Sequence, residues 1–275
     1  MGDFTASIAV NGTASKILTL TNAFKITPEY KSNLNINLRT CGAYLGPNET
    51  QWTEFMCQNL GATAGTNPFS AVAANHGAKI QWGRNMTGTD GVYYYTQASD
   101  QANTGAITGW NTISAPIGSW NVGTETNPIK TGNDPCPSSY RVPTNAEWQA
   151  VTDNNPNVER TGSWANSATN YTTALYIRNL ANVRTLMLPA AGFRDFTNGA
   201  LANRGVYGFY WSSKSTTATS SPYFRIDNNG LGLLGSSSIT YAFSVRCIKD
   251  QSAVTVNGGS TNWNSSGDIN LNTSF

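Results

Sequence analysis

The C-terminal half of the chain carries a series of short strand-like runs with turn residues between them. They are RTLMLP at 184–189, GFYWSS at 208–213, PYFRID at 222–227 and TYAFSVRCIKD at 240–250. In the third run Tyr223, Arg225 and Asp227 alternate with apolar residues, which is the period of a half-buried strand. The series predicts an α+β fold with a dominant antiparallel sheet, one or two short helices and long ordered loops.

Helical signals are few. In RVPTNAEWQAVTDN, Thr144 and Glu147 have the T-x-x-E spacing of a capping box, which predicts a short helix from about residue 145 to 152. A second, weaker helix is predicted in ATNYTTALYIRNLA at 168–181, although its β-branched residues have low helix propensity. The Gly- and Thr-rich stretch 85–130 shows no period, so irregular structure or short β segments are expected there.

Four cysteines, at positions 41, 57, 136 and 247, limit the possible cross-links and metal sites. They show no C-x-x-C spacing and are accompanied by a single histidine, His76, which argues against a zinc site. Proximity in sequence favours the pairs Cys41–Cys57 and Cys136–Cys247. Four buried free thiols stay open as the alternative for a protein that matures in a reducing cytoplasm.

The composition excludes two classes of partner. Charged residues make up 12% of the chain, the net charge is +2, and Lys and Arg form no cluster, so we expect no nucleic-acid binding. No stretch approaches the ~20 apolar residues that a membrane span requires, so we expect no membrane insertion. Abundant Tyr, Ser, Gly and Asn suit either an antibody-like binding surface or a β-rich core with polar loops, and composition alone favours the second.

Catalytic patterns are missing from the sequence. A serine nucleophile needs a base, but His76 is the one histidine, and no G-x-S-x-G elbow accompanies it. There is no EF-hand, P-loop or G-x-G-x-x-G pattern either. We therefore expect no catalytic residue, no cofactor and no metal site, although a calcium ion held by loop carbonyls alone would leave no mark in sequence. A rigid scaffold with a polar and aromatic surface favours a binder over an enzyme.

Four segments carry a more specific signal than this general pattern. They are FMCQNLGATAGTNPFSAVAANHGAKIQWG at 55–83, DPCPSSYRVPTNAEW at 134–148, LPAAGFRD through GFYWSS at 188–213, and FSVRCIKD at 243–250. In this order they resemble the Fibrobacter succinogenes major paralogous domain, a family frequent in Bacteroidetes surface proteins. The resemblance covers roughly residues 39–250 and implies a C-type-lectin-like fold for them.

This resemblance divides the chain into three parts. Residues 39–250 are expected to form the ligand-binding domain. Residues 1–38, which alternate weakly in TASIAV, KILTLT and LNINLRT, are expected to form a β segment for attachment or oligomerisation. The Asn-, Ser- and Gly-rich residues 251–275 are a C-terminal extension.

The same fold is similar to two better-understood groups. One is the formylglycine-generating enzymes, which need a reactive cysteine pair. Cys247 matches a terminal structural cysteine and Cys136 precedes the predicted helix, so the enzymatic activity is not carried over. The other group is the variable proteins of diversity-generating retroelements, which display hypervariable residues on their final strands and loops. The calcium-binding triplets of animal C-type lectins are absent, which argues against calcium-mediated recognition of monosaccharides.

The layout of the variable proteins implies a ligand face on the last strands and loops of this chain. Its expected members are Tyr207, Phe209, Lys214, Ser215, Thr217, Tyr223, Arg225, Asp227, Asn229, Ser237 and Thr240. Aromatic members would supply anchoring area, and Arg225 and Lys214 would supply charge-assisted hydrogen bonds. Trp148, Trp211 and Arg246 are expected to belong to the scaffold.

Three functional hypotheses follow. The first is a phage or prophage receptor-binding or virion-surface protein, diversified by a retroelement or not, that acts as a homo-oligomer or in a larger assembly. It is preferred because the sequence opens without a signal peptide. The second is a Bacteroidetes cell-surface adhesin or lipoprotein, and the third is an oxidative enzyme on the same fold. The first two place the protein outside the cell, with a glycan or protein of a cell surface as its partner.

Overall fold

The computed structural model describes residues 4–10, 13–20 and 40–250 of the chain. The chain forms two compact units, Met1–Arg39 and Thr40–Phe275. In the first unit, strands β1 (Phe4–Val10) and β2 (Thr13–Leu20) pair antiparallel, as the alternation there predicts. The third run expected there, LNINLRT at 34–40, lies outside the described residues apart from Thr40, and the extension 251–275 lies outside them as well.

The second unit consists mainly of short strands and ordered loops. Its helices are α1 (Gln97–Ala102) and α2 (Asn145–Asn154), with a 3-10 turn at Ala73–Asn75. Its strands are β3 (Cys41–Gly46), β4 (Thr50–Phe55), β5 (Lys79–Gln81), β6 (Tyr94–Tyr95), β7 (Tyr140–Arg141), β8 (Val158–Thr161), β9 (Ala174–Arg178), β10 (Arg184–Pro189), β11 (Phe193–Arg194), β12 (Leu201–Ala202), β13 (Gly208–Trp211), β14 (Ser220–Asp227), β15 (Gly230–Ser238), β16 (Ala242–Phe243) and β17 (Ile248–Lys249). The predicted α+β class is confirmed.

Within residues 40–250, the strands form four sheets in which the named strands pair antiparallel. Their orders are β3-β4-β17-β7, β12-β11-β16-β5-β6, β10-β9-β8 and β13-β14-β15. In the first of these sheets β17, from the end of the described chain, lies between β4 and β7. The run predicted at 240–250 is therefore two short strands, β16 and β17, in two different sheets.

Helix α2 begins where the sequence predicts. Thr144 Oγ1 accepts a hydrogen bond from the Glu147 amide at 3.2 Å, and the Glu147 carboxylate accepts one from the Thr144 amide at 2.8 Å. Both halves of the capping box are thus present. Trp148 and Val151 on the inner side of the helix are fully buried, so a local start signal and a buried apolar side act together.

The second predicted helix is wrong. Its central residues form the strand β9, whose side chains from Ala174 to Ile177 are buried because β9 lies between β8 and β10. The β-branched and aromatic residues of this run suit a covered strand, and pairing on both edges outweighs a marginal helical preference. In this segment, strand pairing within the folded chain overrides the intrinsic helix propensity of the residues.

Helix α1, inside the stretch expected to be irregular, was not predicted. Thr96 caps it by accepting a hydrogen bond from the Ser99 amide. Its Asp100 is fully buried and accepts hydrogen bonds from Arg194, at 2.7 Å, and from Arg204. This helix of six residues is therefore held by charged side chains from distant segments, which its own sequence does not reveal.

Two apolar clusters form the core of the second unit, and β13 contributes to both. Tyr210 on this strand packs in the cluster around Trp148, whose indole stacks on the Phe224 ring at 4.5 Å. Trp211, the next residue, belongs to the other cluster and stacks on Phe243 at 4.1 Å. Trp148, Trp211 and the predicted scaffold residue Arg246 are all fully buried, which confirms that expectation.

Both predicted disulfides are present, Cys41–Cys57 and Cys136–Cys247. The second joins residues that are 111 positions apart and connects the segment before α2 to the end of the described chain. Disulfides form and persist in oxidising environments, so these bonds indicate such an environment. Among the described residues, no helix is both long and apolar enough to cross a membrane.

Candidate functional site

The predicted ligand face is built on the β13-β14-β15 sheet. Residues opposite each other in an antiparallel pair point to the same side. Phe209 lies opposite Arg225, and Tyr223 lies opposite Gly235. The alternation of β14 holds, since Phe224 and Ile226 are buried while the residues between and beside them are partly exposed. One side of this sheet therefore faces the Trp148 cluster, and the other presents the predicted residues.

Rings from several segments gather on that second side. Phe209 lies at their centre, with ring centroids at 5.1 Å from Tyr223, 5.2 Å from Phe193 and 5.8 Å from Tyr207. We call the following set the aromatic face: Phe193, Phe196, Tyr207, Phe209, Tyr223, Arg225, Asp227 and Tyr241. Apart from the buried Phe209 its members are partly exposed, so the face combines a packed base with a solvated outer layer.

Two of the predicted contact residues are buried. Phe209 is only 8% exposed and Thr240 only 5%. Phe209 lies beneath the outer rings because Phe243, from the second core, covers it at 4.9 Å. The backbone carbonyl of Thr240 accepts a hydrogen bond from the Gln81 side chain, and its hydroxyl bonds to that of Ser238. Phe209 is therefore the buried base of the aromatic face and Thr240 is a buried support beside it, which corrects the expectation that both contact a ligand directly.

Arg225 is held in place by two neighbours. Its guanidinium lies 4.7 Å from the centroid of the Tyr207 ring, and its Nη2 donates to Asp227 Oδ2 at 3.0 Å. The other oxygen of Asp227 accepts from the Asn229 amide at 2.7 Å. Because the guanidinium is already positioned over a ring and beside a carboxylate, it would lose little conformational freedom when a ligand binds.

A glycine permits the position of the Tyr223 ring. A β-carbon on Gly235 would lie 2.5 Å from the Tyr223 hydroxyl oxygen and 2.6 Å from the ring carbon that bears it. The ring therefore lies directly over the bare backbone of β15. This arrangement places a flat aromatic surface, with a hydroxyl at its outer end, across the middle of the sheet.

The loop between β13 and β14 carries three more of the predicted residues. The Lys214 ammonium donates to the Gly123 carbonyl at 2.6 Å, so it anchors the loop. The Thr217 hydroxyl accepts from the amides of Ser220 and Thr219, which closes a local turn. Ser215 Oγ has no hydrogen-bond partner in the described part of the chain. Residues 216–219 are exposed, so the loop offers a solvated but internally bonded rim.

The last two predicted residues lie away from the rings. Ser237 pairs with Ser221 near the loop end of β15. Asn229 is exposed at the opposite end, in the β14–β15 turn, where its carbonyl accepts from Arg160 at 2.7 Å. The structure thus brings Tyr207, Phe209, Tyr223, Arg225 and Asp227 into mutual contact and leaves the other predicted residues at the two ends of the same sheet.

Sequence reasoning missed Phe193, Phe196 and Tyr241, which extend the face. The Tyr241 ring lies 4.8 Å from Phe196 and 5.4 Å from Phe193. Burial raises the pKa of the Tyr241 hydroxyl, with Asp195 adding to the effect, so it remains a hydrogen-bond donor at neutral pH. The signal available in the sequence is the pair of phenylalanines in GFRDF, which lies within one of the four segments that carry the family resemblance.

The residues considered for catalysis occupy structural positions. His76 is fully buried, and its Nε2 contacts the Tyr171 carbonyl at 3.2 Å. Burial, with the positive charges of Lys79 and Arg204, lowers its pKa to about 3, so the imidazole is neutral. Cys136 and Cys247 are bonded to each other and buried. The described residues include no group of three His, Cys, Asp or Glu side chains that could hold a metal ion.

Comparison with known families agrees with the motifs along the chain. The model of the Fibrobacter succinogenes major domain matches residues 34–249. The chain belongs to this family. The aromatic face, both disulfides and the two core clusters all lie within the matched segment, so they belong to the domain that defines the family. No curated protein and no solved structure matches the chain.

Proposed function

We propose that this family member is a non-catalytic recognition protein that binds a cell-surface ligand, a glycan or a protein, through the aromatic face and the loop at 214–219. One observation carries the proposal. Tyr207, Tyr223 and Arg225 share a single patch in which the guanidinium lies 4.7 Å from one ring and both rings pack on the buried Phe209. Tyr and Arg are the residue types that dominate binding hot spots.

The chemistry of the face suits recognition. Half-exposed tyrosines bury a large area at low entropic cost and keep a hydroxyl for a hydrogen bond. Arg225 and Asp227 provide a charge-assisted donor and an acceptor side by side. The rim of small residues at 216–219 can change without disturbing Trp211 or Phe224, because these two lie on strands that the core holds in place.

We place the protein on a virion as a receptor-binding or surface protein of a phage or prophage. A homo-oligomer or a larger assembly would present several faces at once, which can raise a weak single-site affinity by about 10²–10⁴. The two disulfides support an extracellular setting. A reverse transcriptase gene near the coding gene, with an adenine-differing copy of the segment near 200–250, would show that the face is diversified.

A Bacteroidetes adhesin or lipoprotein is the second candidate. The match to the Fibrobacter succinogenes major domain together with two disulfides favours it, because exported proteins form such bonds. A lipobox-bearing leader in the full gene would decide for this candidate. The aromatic face has the same role in both settings.

Cell-binding measurements test the proposal. The full chain, labelled and with both disulfides intact, is titrated onto a panel of intact Bacteroidetes strains and measured by flow cytometry. On a strain that binds, Tyr223→Ala and Arg225→Ala should each weaken the apparent affinity at least about tenfold, as expected for hot-spot residues. Ile113→Ala is the control, because Ile113 is 73% exposed and lies outside the face. Unchanged binding by both face variants would refute the proposed surface.

A further inference from the structure

A second concave site lies away from the aromatic face. A groove of about 670 Å³ runs between β4, the first turns of α2 and the segment 125–128. Small-molecule sites in proteins span roughly 300–1,000 Å³, so the groove has the size of a ligand site. It shares no residue with the aromatic face or with the 214–219 loop. We call it the α2 groove.

Trp52 is one of the residues that line the α2 groove. It is 38% exposed, a large fraction for an indole. Its position is fixed by Tyr44, whose ring meets it edge-on at 5.1 Å, and by Gly42, where a β-carbon would lie 2.6 Å from the Cζ2 atom of the indole. The indole therefore rests on the bare backbone of β3, on the side of β4 that also carries Glu54, and its exposed part is a fixed flat surface.

On the side of α2, a rigid polar frame lines the groove. Arg141 donates two hydrogen bonds to Glu147, at 2.7 and 2.6 Å, and Glu147 also accepts from the Thr144 amide. Arg141 is only 6% exposed, and its Nε has no hydrogen-bond acceptor among the described residues. Asp250 Oδ1 lies 3.6 Å from this Nε, which is within ion-pair distance but beyond a hydrogen bond. A buried guanidinium whose Nε makes no hydrogen bond in the described part of the chain thus lines the groove.

The rim carries uncommitted amide groups. The side chains of Gln51 and Asn127 are exposed and make no hydrogen bond with other described residues. Each offers both a donor and an acceptor, which is what a hydroxyl group needs. Glu125, beside them, uses one oxygen to accept from the Ala146 amide at 3.0 Å, so this carboxylate is fixed at the start of α2.

The charges lining the groove nearly balance. The lining includes two positively charged residues, Arg141 and Lys249. It also includes three negatively charged residues, Glu125, Glu147 and Asp250, so the net charge of the lining is −1. This balance disfavours an anionic ligand. An exposed indole at the groove together with amides and carboxylates suits a molecule with one apolar face and a ring of hydroxyl groups, as a pyranose sugar has.

We propose that the α2 groove binds a short neutral oligosaccharide, with a sugar ring stacked on Trp52 and its hydroxyl groups bonded to Gln51, Asn127 and Glu125. The site is independent of the aromatic face. It gives the protein a second contact with a glycan-covered surface, so both sites would bind the surface of the same cell.

An oligosaccharide array followed by titration tests the α2 groove. The full chain with intact disulfides is applied to neutral, sialylated and sulfated oligosaccharides, and the strongest neutral one is titrated calorimetrically. Trp52→Ala should weaken its binding at least about tenfold and Asn127→Ala about three- to tenfold, the latter being the loss of one hydrogen bond. Leu180→Ala is the control, because Leu180 is a large apolar residue that is 70% exposed and lies outside both the α2 groove and the aromatic face; it should bind the sugar as the parent chain does.

Thermal denaturation accompanies these titrations because Trp52 packs on Tyr44. If Trp52→Ala lowers the melting temperature, the exposed Asn127→Ala carries the test alone. Three results would each overturn the proposal. The first is that the chain binds no neutral oligosaccharide, the second is that both groove variants bind the sugar with the same affinity as the parent chain, and the third is that the chain prefers sialylated or sulfated sugars. Loss of cell binding by Tyr223→Ala with unchanged sugar binding would separate this site from the proposed function.

Discussion

The ring of Tyr223 lies over the bare backbone of Gly235 on the neighbouring strand, where a β-carbon would come within 2.5 Å of its hydroxyl oxygen. This glycine is not in the left-handed region of backbone conformation, so its role is close approach. The position of the central aromatic residue of the face thus depends on a residue that offers no side chain of its own.

Gly235→Ala should therefore impair binding more than stability. The added methyl group would displace the outer end of the Tyr223 side chain, which can swing into solvent, so the free energy of unfolding should change by less than about 1 kcal/mol. Cell binding should fall as far as in Tyr223→Ala. Gly132→Ala is the matched control, because a β-carbon there meets nothing within 4 Å. Binding equal to that of the control would mean that the Tyr223 ring does not contact the ligand.

His76 should report on acid unfolding. Its pKa in the folded chain, about 3, lies below the ordinary histidine pKa of 6.5 because the ring is fully buried. The unfolded chain therefore binds a proton between these values that the folded chain does not, and stability is lost as the pH falls through this window. In His76→Gln the stability difference between pH 6.5 and pH 4 should be smaller than in the parent chain, as measured by urea unfolding.

The NMR spectrum provides the direct check, because the chain contains one histidine. The imidazole resonances should not titrate between pH 7.5 and pH 4.5. A midpoint near 6.5 would show that the ring is solvated and that the buried site described above is wrong.

Arg246 should be a major determinant of stability. Its guanidinium donates to Asn59 Oδ1 and to the carbonyls of Met56, Cys57 and Met187. Arg246→Leu would leave these buried acceptors without a donor, so we expect a loss of at least about 3 kcal/mol in chemical denaturation. Arg160→Leu, at an exposed position, should cost less than about 1 kcal/mol. Similar losses of unfolding free energy in the two variants would contradict a major role of Arg246 in stability.

The two disulfides should contribute unequally. A cross-link stabilises mainly by restricting the unfolded chain, so the bond that spans 111 positions should contribute about 4–5 kcal/mol and the one that spans 16 about 3 kcal/mol. Unfolding of the double variants Cys136→Ser/Cys247→Ser and Cys41→Ser/Cys57→Ser should show this order. Both should still bind cells below their melting temperatures. Loss of a chemical turnover with retained fold would instead support the enzyme hypothesis.

Local signals in the sequence were sufficient for some elements. The capping box of α2 and the alternation of β14 depend on neighbours within a few residues, and both are found as predicted. The disulfide partners also followed from proximity along the chain. Helix α1 and strand β9 could not be found this way, because Arg194 and Arg204 hold the former and pairing on both edges holds the latter.

The binding face was only partly predictable for the same reason. A period of two identifies which residues of β13 and β14 share a side, but not that Phe243 covers Phe209 from a different sheet. Nor does it show that Phe193, Phe196 and Tyr241 join the rings, since they come from other segments. Contacts between segments distant in sequence decide which side chains of such a face reach solvent.

The most direct test of the account is hydroxyl-radical footprinting of the full chain, free and bound to intact cells. Tyr207, Tyr223 and Phe196 on the aromatic face should be oxidised several-fold more slowly in the bound state. Tyr93, which is partly exposed and packs under Arg84 outside both proposed sites, should be oxidised at the same rate. Protection confined to other parts of the chain, with the aromatic face oxidised as fast as in the free protein, would contradict the proposed function.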